Sequence, residues 1–186
     1  MTTRLERFRG HRDEYFGSDE HSPLSHGQRH GFTGLSYYPE RPDLRFEVAL
    51  NRPAERAPAV ELATSTGETQ PFNPAGTVDV SVDGQPITLT VYRQPDRGRY
   101  FLPFRDATFG SETYGVGRYL DPQEQPDGTI VVDFNYAYNP YCAYGDDWSC
   151  PIPPAENIVA IPIHAGEKLL PPSQPNDASP EHEHPL

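Results

Sequence analysis

The chain has 186 residues, enough for one domain around a single core, and its 35% apolar residues, 22 Pro and 15 Gly argue for short elements joined by many turns. A formal net charge of -12, with no Lys/Arg-rich stripe, sets the chain against phosphate backbones and anionic bilayers, so neither nucleic acid nor membrane is an expected partner. No run approaches the roughly 18 apolar residues that cross a bilayer, and the charged start from Met1 to Gly10 has no apolar signal-peptide core, so a cytoplasmic location is expected.

In chain order, Leu5, Phe8, Arg12 and Phe16 fall at helical spacing and predict an amphipathic helix from Thr3 to Phe16, with Gly17 as its stop. Arg7, Arg9 and Arg12 read as its solvated face. The turn-rich segment from Ser18 to Pro42 carries Phe32, Leu35, Tyr37 and Tyr38 as anchors and is expected to wrap over the core. His21, His26 and His30 lie in this segment at a spacing that fits no single helix face, so no metal site is expected.

From Leu44 the period becomes two. Leu44, Phe46, Val48 and Leu50 share one face of a strand, and Val60 with Leu62 suggest another. The clearest hairpin places Val78, Val80 and Val82 before an Asp83-Gly84 turn and Ile87, Leu89 and Val91 after it. Further strands are expected over Arg99–Pro103, Gly115–Leu120, Thr129–Phe134 and Ile158–Ile163, the last at an edge or a bulge because of Pro162. About eight strands after one helix make an all-β fold, an antiparallel barrel or sandwich. Residues 1–170 read as a single globular domain, and the Pro-, Ser- and acid-rich tail 171–186 as disordered.

Two polar-aromatic blocks stand apart, Leu102 to Tyr119 and Asp133 to Tyr144, the second followed by Cys150-Pro151-Ile152-Pro153-Pro154-Ala155-Glu156-Asn157. With Phe32-Thr33-Gly34-Leu35 and Tyr37-Tyr38-Pro39 near the front, these long phrases resemble the bacterial and archaeal proteins of domain-of-unknown-function family 1684 over nearly the whole chain except the tail. Phe109 stands where a small residue is expected, and Tyr141 where a second proline is. The resemblance implies no activity.

The residues themselves suggest two kinds of chemistry. Arg105 and Arg118 offer planar forks of donors to a carboxylate or phosphate, although an arginine here also serves as a buried pin paired with Glu112 or Asp133. With Thr108, Tyr114, Asn135, Tyr138 and Asn139 they outline a Tyr/Arg-lined pocket for a small polar or anionic molecule, with no cofactor required. Asp106, Asp133 and Glu156 are candidate acid–base carboxylates and Cys142 a candidate nucleophile, which makes a hydrolase-type enzyme the alternative. A structural or interaction domain without a pocket is the third reading. Cys142 and Cys150 lie in one loop expected to close an end of the barrel; their spacing suits two thiols, a disulfide or a reactive thiol, not a zinc knuckle.

Overall fold

A computed structural model describes residues 2–95 and 98–170; the tail expected to be disordered lies outside them. Helix α1 (Arg4–Ser18) starts where its sequence dictates. The Thr3 hydroxyl accepts the Glu6 N–H at 3.1 Å and the Glu6 carboxylate accepts the Thr3 N–H at 2.6 Å, a reciprocal capping box that satisfies two of the first turn's free donors. Gly17 does not stop the helix, which ends one residue later when the Asp19 N–H closes on Tyr15 O. A one-turn helix, α2 (His26–His30), interrupts the wrapping segment that follows.

Eight strands form two antiparallel sheets among the described residues. The smaller has the order β1 (Arg45–Ala49), β8 (Thr129–Asp133), β7 (Gln123–Glu124). The larger runs β2 (Val60–Ala63), β3 (Thr69–Val82), β4 (Gln85–Arg93), β5 (Tyr100–Phe104), β6 (Arg118–Leu120). The all-β expectation with one N-terminal helix therefore holds, apart from the extra turn of α2. The β3–β4 hairpin pairs Val82 with Gln85 across Asp83 and Gly84, both at positive φ (48° and 80°), which is the type I′ geometry that Asp-Gly favours. Strand β7 is two exposed polar residues and carried no periodic signal.

One predicted strand is not a ladder strand. The segment Ile158–Ile163 instead follows Arg105–Ala107 in parallel, with Arg105 N–H to Asn157 O at 3.0 Å, Val159 N–H to Arg105 O at 2.8 Å and Ala107 N–H to Ile161 O at 3.1 Å. Pro162 has no N–H to continue the pairing, and the next donor, Ile163 N–H, turns to the Asp106 carboxylate at 2.6 Å.

The main core joins both sheets through Val78, Leu89, Val91, Leu102, Phe104, Ile130, Val132, Phe134 and Ile163. A second cluster around Phe72, Tyr92, Phe101 and Tyr119 fills the opposite face of the larger sheet, and a third, Phe16, Leu24, Leu35 and Tyr144, lies under α1. Among the described residues, no helix is long and apolar enough to cross a membrane.

The arginine face of α1 departs from expectation. Arg7 is exposed, but Arg9 lies 4.5 Å over the Tyr37 ring and Arg12 reaches inward to pair with Glu167 at 2.8 Å. Glu167 is fully buried, and a carboxylate there requires a cation, which Arg12 supplies from the inner face of α1. Burial pushes the Glu167 carboxyl up from 4.5 to about 7, against the pull of Arg12 and Asn139. Between those two pH values the folded protein holds a proton that the unfolded chain has released, so this group makes stability fall as pH rises through the window. Urea unfolding of Glu167→Gln should show a flatter dependence on pH there than the parent. Arg12→Met should cost about 3 kcal/mol at pH 8, where it strands a buried carboxylate, and much less near pH 5, where that carboxyl is already neutral; equal losses at both pH values would contradict the pairing.

Candidate functional site

Much of the polar content of the two blocks is directed inward. Arg118, on β6, is wholly buried, and Gly117 beside it makes the approach possible: at φ +131° a Cβ there would lie 2.5 Å from Phe104 O. The Arg118 guanidinium donates to Asp106 at 3.2 Å, to Ile163 O at 2.8 Å, to Glu167 O at 3.3 Å and to Ala165 O. Burial lowers its pKa, and Asp106 pulls in the opposite direction. Asp106 also accepts the Thr108 hydroxyl at 2.9 Å, and that hydroxyl meets Thr113 Oγ1 at 2.8 Å.

Three asparagines act as backbone clips. Asn135 accepts Arg41 N–H at 2.7 Å and donates to Arg41 O at 2.8 Å. Asn157 does the same to Thr90, at 2.7 and 2.8 Å, and also donates to Pro103 O at 2.7 Å. Asn139 donates to Lys168 O at 3.0 Å and to Glu167 and the Tyr144 hydroxyl, both at 3.3 Å. A carboxamide can pair with both backbone groups of one residue where no strand is available to do so. Asp106, Thr108, Arg118, Asn135 and Asn139, all singled out in the sequence, are thus buried members of internal networks.

The remaining candidates scatter. Arg105 pairs with neither Glu112 nor Asp133; its guanidinium lies 4.8 Å over the ring of Phe109, and its backbone carries the parallel pairing described above. Glu112 instead accepts the Tyr38 hydroxyl at 3.1 Å and faces His164 at 3.6 Å. Glu156 is exposed and accepts the Tyr92 hydroxyl at 2.6 Å. Tyr114 donates to Cys142 O at 3.0 Å. The four proposed acid–base and nucleophilic groups, Asp106, Asp133, Glu156 and Cys142, therefore have separate sets of partners.

Asp133 and Tyr138 do meet, across a cleft of about 430 Å³ between α1 and the smaller sheet. Arg4 and Phe8 come from α1, Arg45 from β1, Asp133 from the end of β8, and Asp121 and Gln123 from the turn before and the start of β7. The aromatic wall is Phe8 against Tyr136, ring centres 4.9 Å apart, together with Tyr138. Tyr138 donates to Asp121 at 3.1 Å, and Arg45 Nε stands 4.0 Å from Asp133. Asp121 is open to solvent on one side, but crowding by the cleft wall raises its pKa, opposed by the Tyr138 hydrogen bond. As site residues, Arg4, Phe8, Arg45 and Asp121 had no local signal: they converge from three segments, and only the docking of α1 assembles them. A second depression of about 460 Å³ is edged by Arg52, Arg56 and Arg93, but Glu124 already faces the first and last of these.

Residues 30–168 match the model of a family described as Protein of unknown function (DUF1684). The chain belongs to this family. The DUF1684 match covers the Asp106–Arg118 network, the asparagine clips and both cysteines, whereas Arg4, Phe8 and Arg12 of α1 precede it. The chain is also similar to the uncharacterized protein from gene locus rrnAC0354 of Haloarcula marismortui, solved by solution NMR, with 36% identity, a TM-score of 0.67, and coverage of 88% of this chain and 91% of that one. Among curated proteins none matches.

Because Arg118 is fully enclosed, Asp106→Asn should cost about 3 kcal/mol or more in urea unfolding, the usual result of leaving one buried charge without its partner. A loss below about 1 kcal/mol, the size of a surface ion pair, would show that the pair is not what holds Ile163 to Glu167 in place.

Proposed function

We propose that this protein is a binding module whose cleft between α1 and the smaller sheet takes a small polar organic molecule with an anionic group. The observation that carries this reading is the cleft itself: about 430 Å³, with an aromatic wall and guanidinium groups from two different elements. That size is within the range of roughly 300–1,000 Å³ typical of small-molecule sites, and an apolar wall with a few convergent polar groups is their usual chemistry. Arg4 and Arg45 would engage the anion, Phe8, Tyr136 and Tyr138 the organic body, and Asp133 and Gln123 its hydroxyl or amino groups. Two acidic groups in the same cleft, Asp121 and Asp133, argue against a highly charged anion such as a polyphosphate.

A thermal-shift screen of small organic carboxylates and phosphate monoesters tests the reading. A ligand present at about 100 times its Kd should add about 2.7 kcal/mol to the stability of the parent. The same ligand should lose most of its effect on Arg45→Ala and Arg4→Ala; hits that stabilise both variants as well as the parent would place binding elsewhere. Binding should also tighten as pH falls, because protonating Asp121, whose pKa is raised by burial, removes a negative charge from the cleft. Asp121→Asn should bind more tightly at neutral pH and lose that part of the pH dependence.

A further inference from the structure

The two cysteines line neither depression and have a geometry of their own. Cys142 sits in the 3-10 turn Tyr141–Ala143 and is half-exposed; Cys150, eight positions on, is 7% exposed. The Cys142 N–H donates to Cys150 Sγ at 3.4 Å, which brings the buried sulfur against the turn carrying the accessible one. Cys150 is held on the end of β2: its N–H donates to Ser65 Oγ at 3.1 Å, its carbonyl accepts Ser65 N–H at 2.9 Å, and Ile152 N–H continues to Ala63 O at 2.7 Å. The loop between the two is anchored as well, through Ser65 Oγ to Trp148 O at 3.1 Å and Trp148 against Tyr141, ring centres 4.8 Å apart.

We propose that Cys142 and Cys150 form a thiol–disulfide exchange site, in which the accessible Cys142 attacks a small disulfide and the buried Cys150 resolves the adduct. The electrostatics divide the labour in the same way. The hydrogen bond from the Cys150 thiol, followed by those involving Tyr114 and Ser65, pushes Cys142 down to about 6 in spite of its partial burial, and Cys150 is pushed up as the donor of that pair. The hydrogen bond between the two thiols thus favours the thiolate on Cys142 and the proton on Cys150, the arrangement that suits an attacking and a resolving thiol. Tyr114 and Tyr119 face the pair, Asp146 acts on Tyr114, and burial keeps both phenols protonated. No group of three or more His, Cys, Asp or Glu side chains suited to a metal ion occurs among the described residues.

The step balances with a small disulfide RSSR as oxidant. The Cys142 thiolate forms a bond to one sulfur of RSSR and the S–S bond breaks, releasing RS⁻. Cys150 gives up its proton and bonds to Cys142 Sγ, expelling the second RS⁻. The protein sulfurs lose two electrons, RSSR gains them, and two RSH result once the thiolates take up protons. Asp146 and Asp147, both exposed on the connecting loop, favour neutral or cationic disulfides over anionic ones.

The test uses the full chain, folded and pre-reduced, with the disulfide of mercaptoethanol as the neutral probe and cystamine and glutathione disulfide as the cationic and anionic ones. In the parent, both thiols should become inaccessible to alkylation after denaturation, with no small thiol retained by mass spectrometry. Cys150→Ser should trap one small thiol on Cys142, and Cys142→Ser should react about tenfold more slowly or less, because its remaining thiol is buried and protonated. Cystamine should react faster than glutathione disulfide, and the gap should narrow in Asp146→Asn/Asp147→Asn. Circular dichroism of each variant confirms that the native fold is what reacts. The proposal is overturned if the native parent keeps two alkylatable thiols in excess disulfide, if it accumulates mixed adducts without closing the pair, or if Cys142→Ser reacts as fast as Cys150→Ser. Faster reaction with glutathione disulfide than with cystamine would overturn the assigned substrate class.

Discussion

A guanidinium sealed inside a β domain is costly unless acceptors surround it, and in this protein the acceptors of Arg118 tie several segments together on one side of the larger sheet. Arg118 takes a carboxylate from Asp106 and the carbonyls of Ile163, Ala165 and Glu167. Meeting those carbonyls forces the C-terminal segment to cross beneath β6, which sets Glu167 in the interior. Glu167 in turn needs a cation, and Arg12 brings α1 down to supply it. With α1 docked, Phe8 and Arg4 become one wall of the cleft. The chain of dependence runs from one buried charge to the shape of the candidate site.

The same requirement explains why so polar a chain has an ordered interior. The carboxamides of Asn135 and Asn157 clasp both polar backbone groups of Arg41, before a short 3-10 turn, and of Thr90 on β4, doing what a neighbouring strand would do. Such buried networks add specificity more than stability, since any alternative packing leaves several buried groups unsatisfied at once. The aromatic residues of the second block divide between this interior and the cleft: Tyr144 packs on Phe16 under α1, whereas Tyr136 and Tyr138 face the cleft.

The proposed binding cleft and the cysteine pair rest on different parts of the fold. One is built by α1, which precedes the DUF1684 match, and the smaller sheet; the other by the Tyr141–Cys150 loop on the end of β2, inside the match. Each stands or falls without the other.

The sequence by itself determined the local elements, because their causes are local. Alternating Val78 to Val82 and Ile87 to Val91 around Asp83-Gly84 could pair only as a tight hairpin, and Thr3 with Glu6 capped the helix within one turn. It also marked the polar-aromatic blocks as distinctive in composition, but not which of their residues come together. Whether those groups point inward or outward was decided only by the tertiary structure. Arg12 looked like a solvated residue because burying a charge is unfavourable until a partner 155 positions away is considered. Ile158 to Ile163 read as a last strand, but Pro162 and the Asp106 carboxylate diverted its donors. Asp106 and Arg118 looked like ligand-binding chemistry for the same reason they make a core pin: a fork of donors meets a protein carboxylate and a ligand's in the same way, and only the packing around it says which.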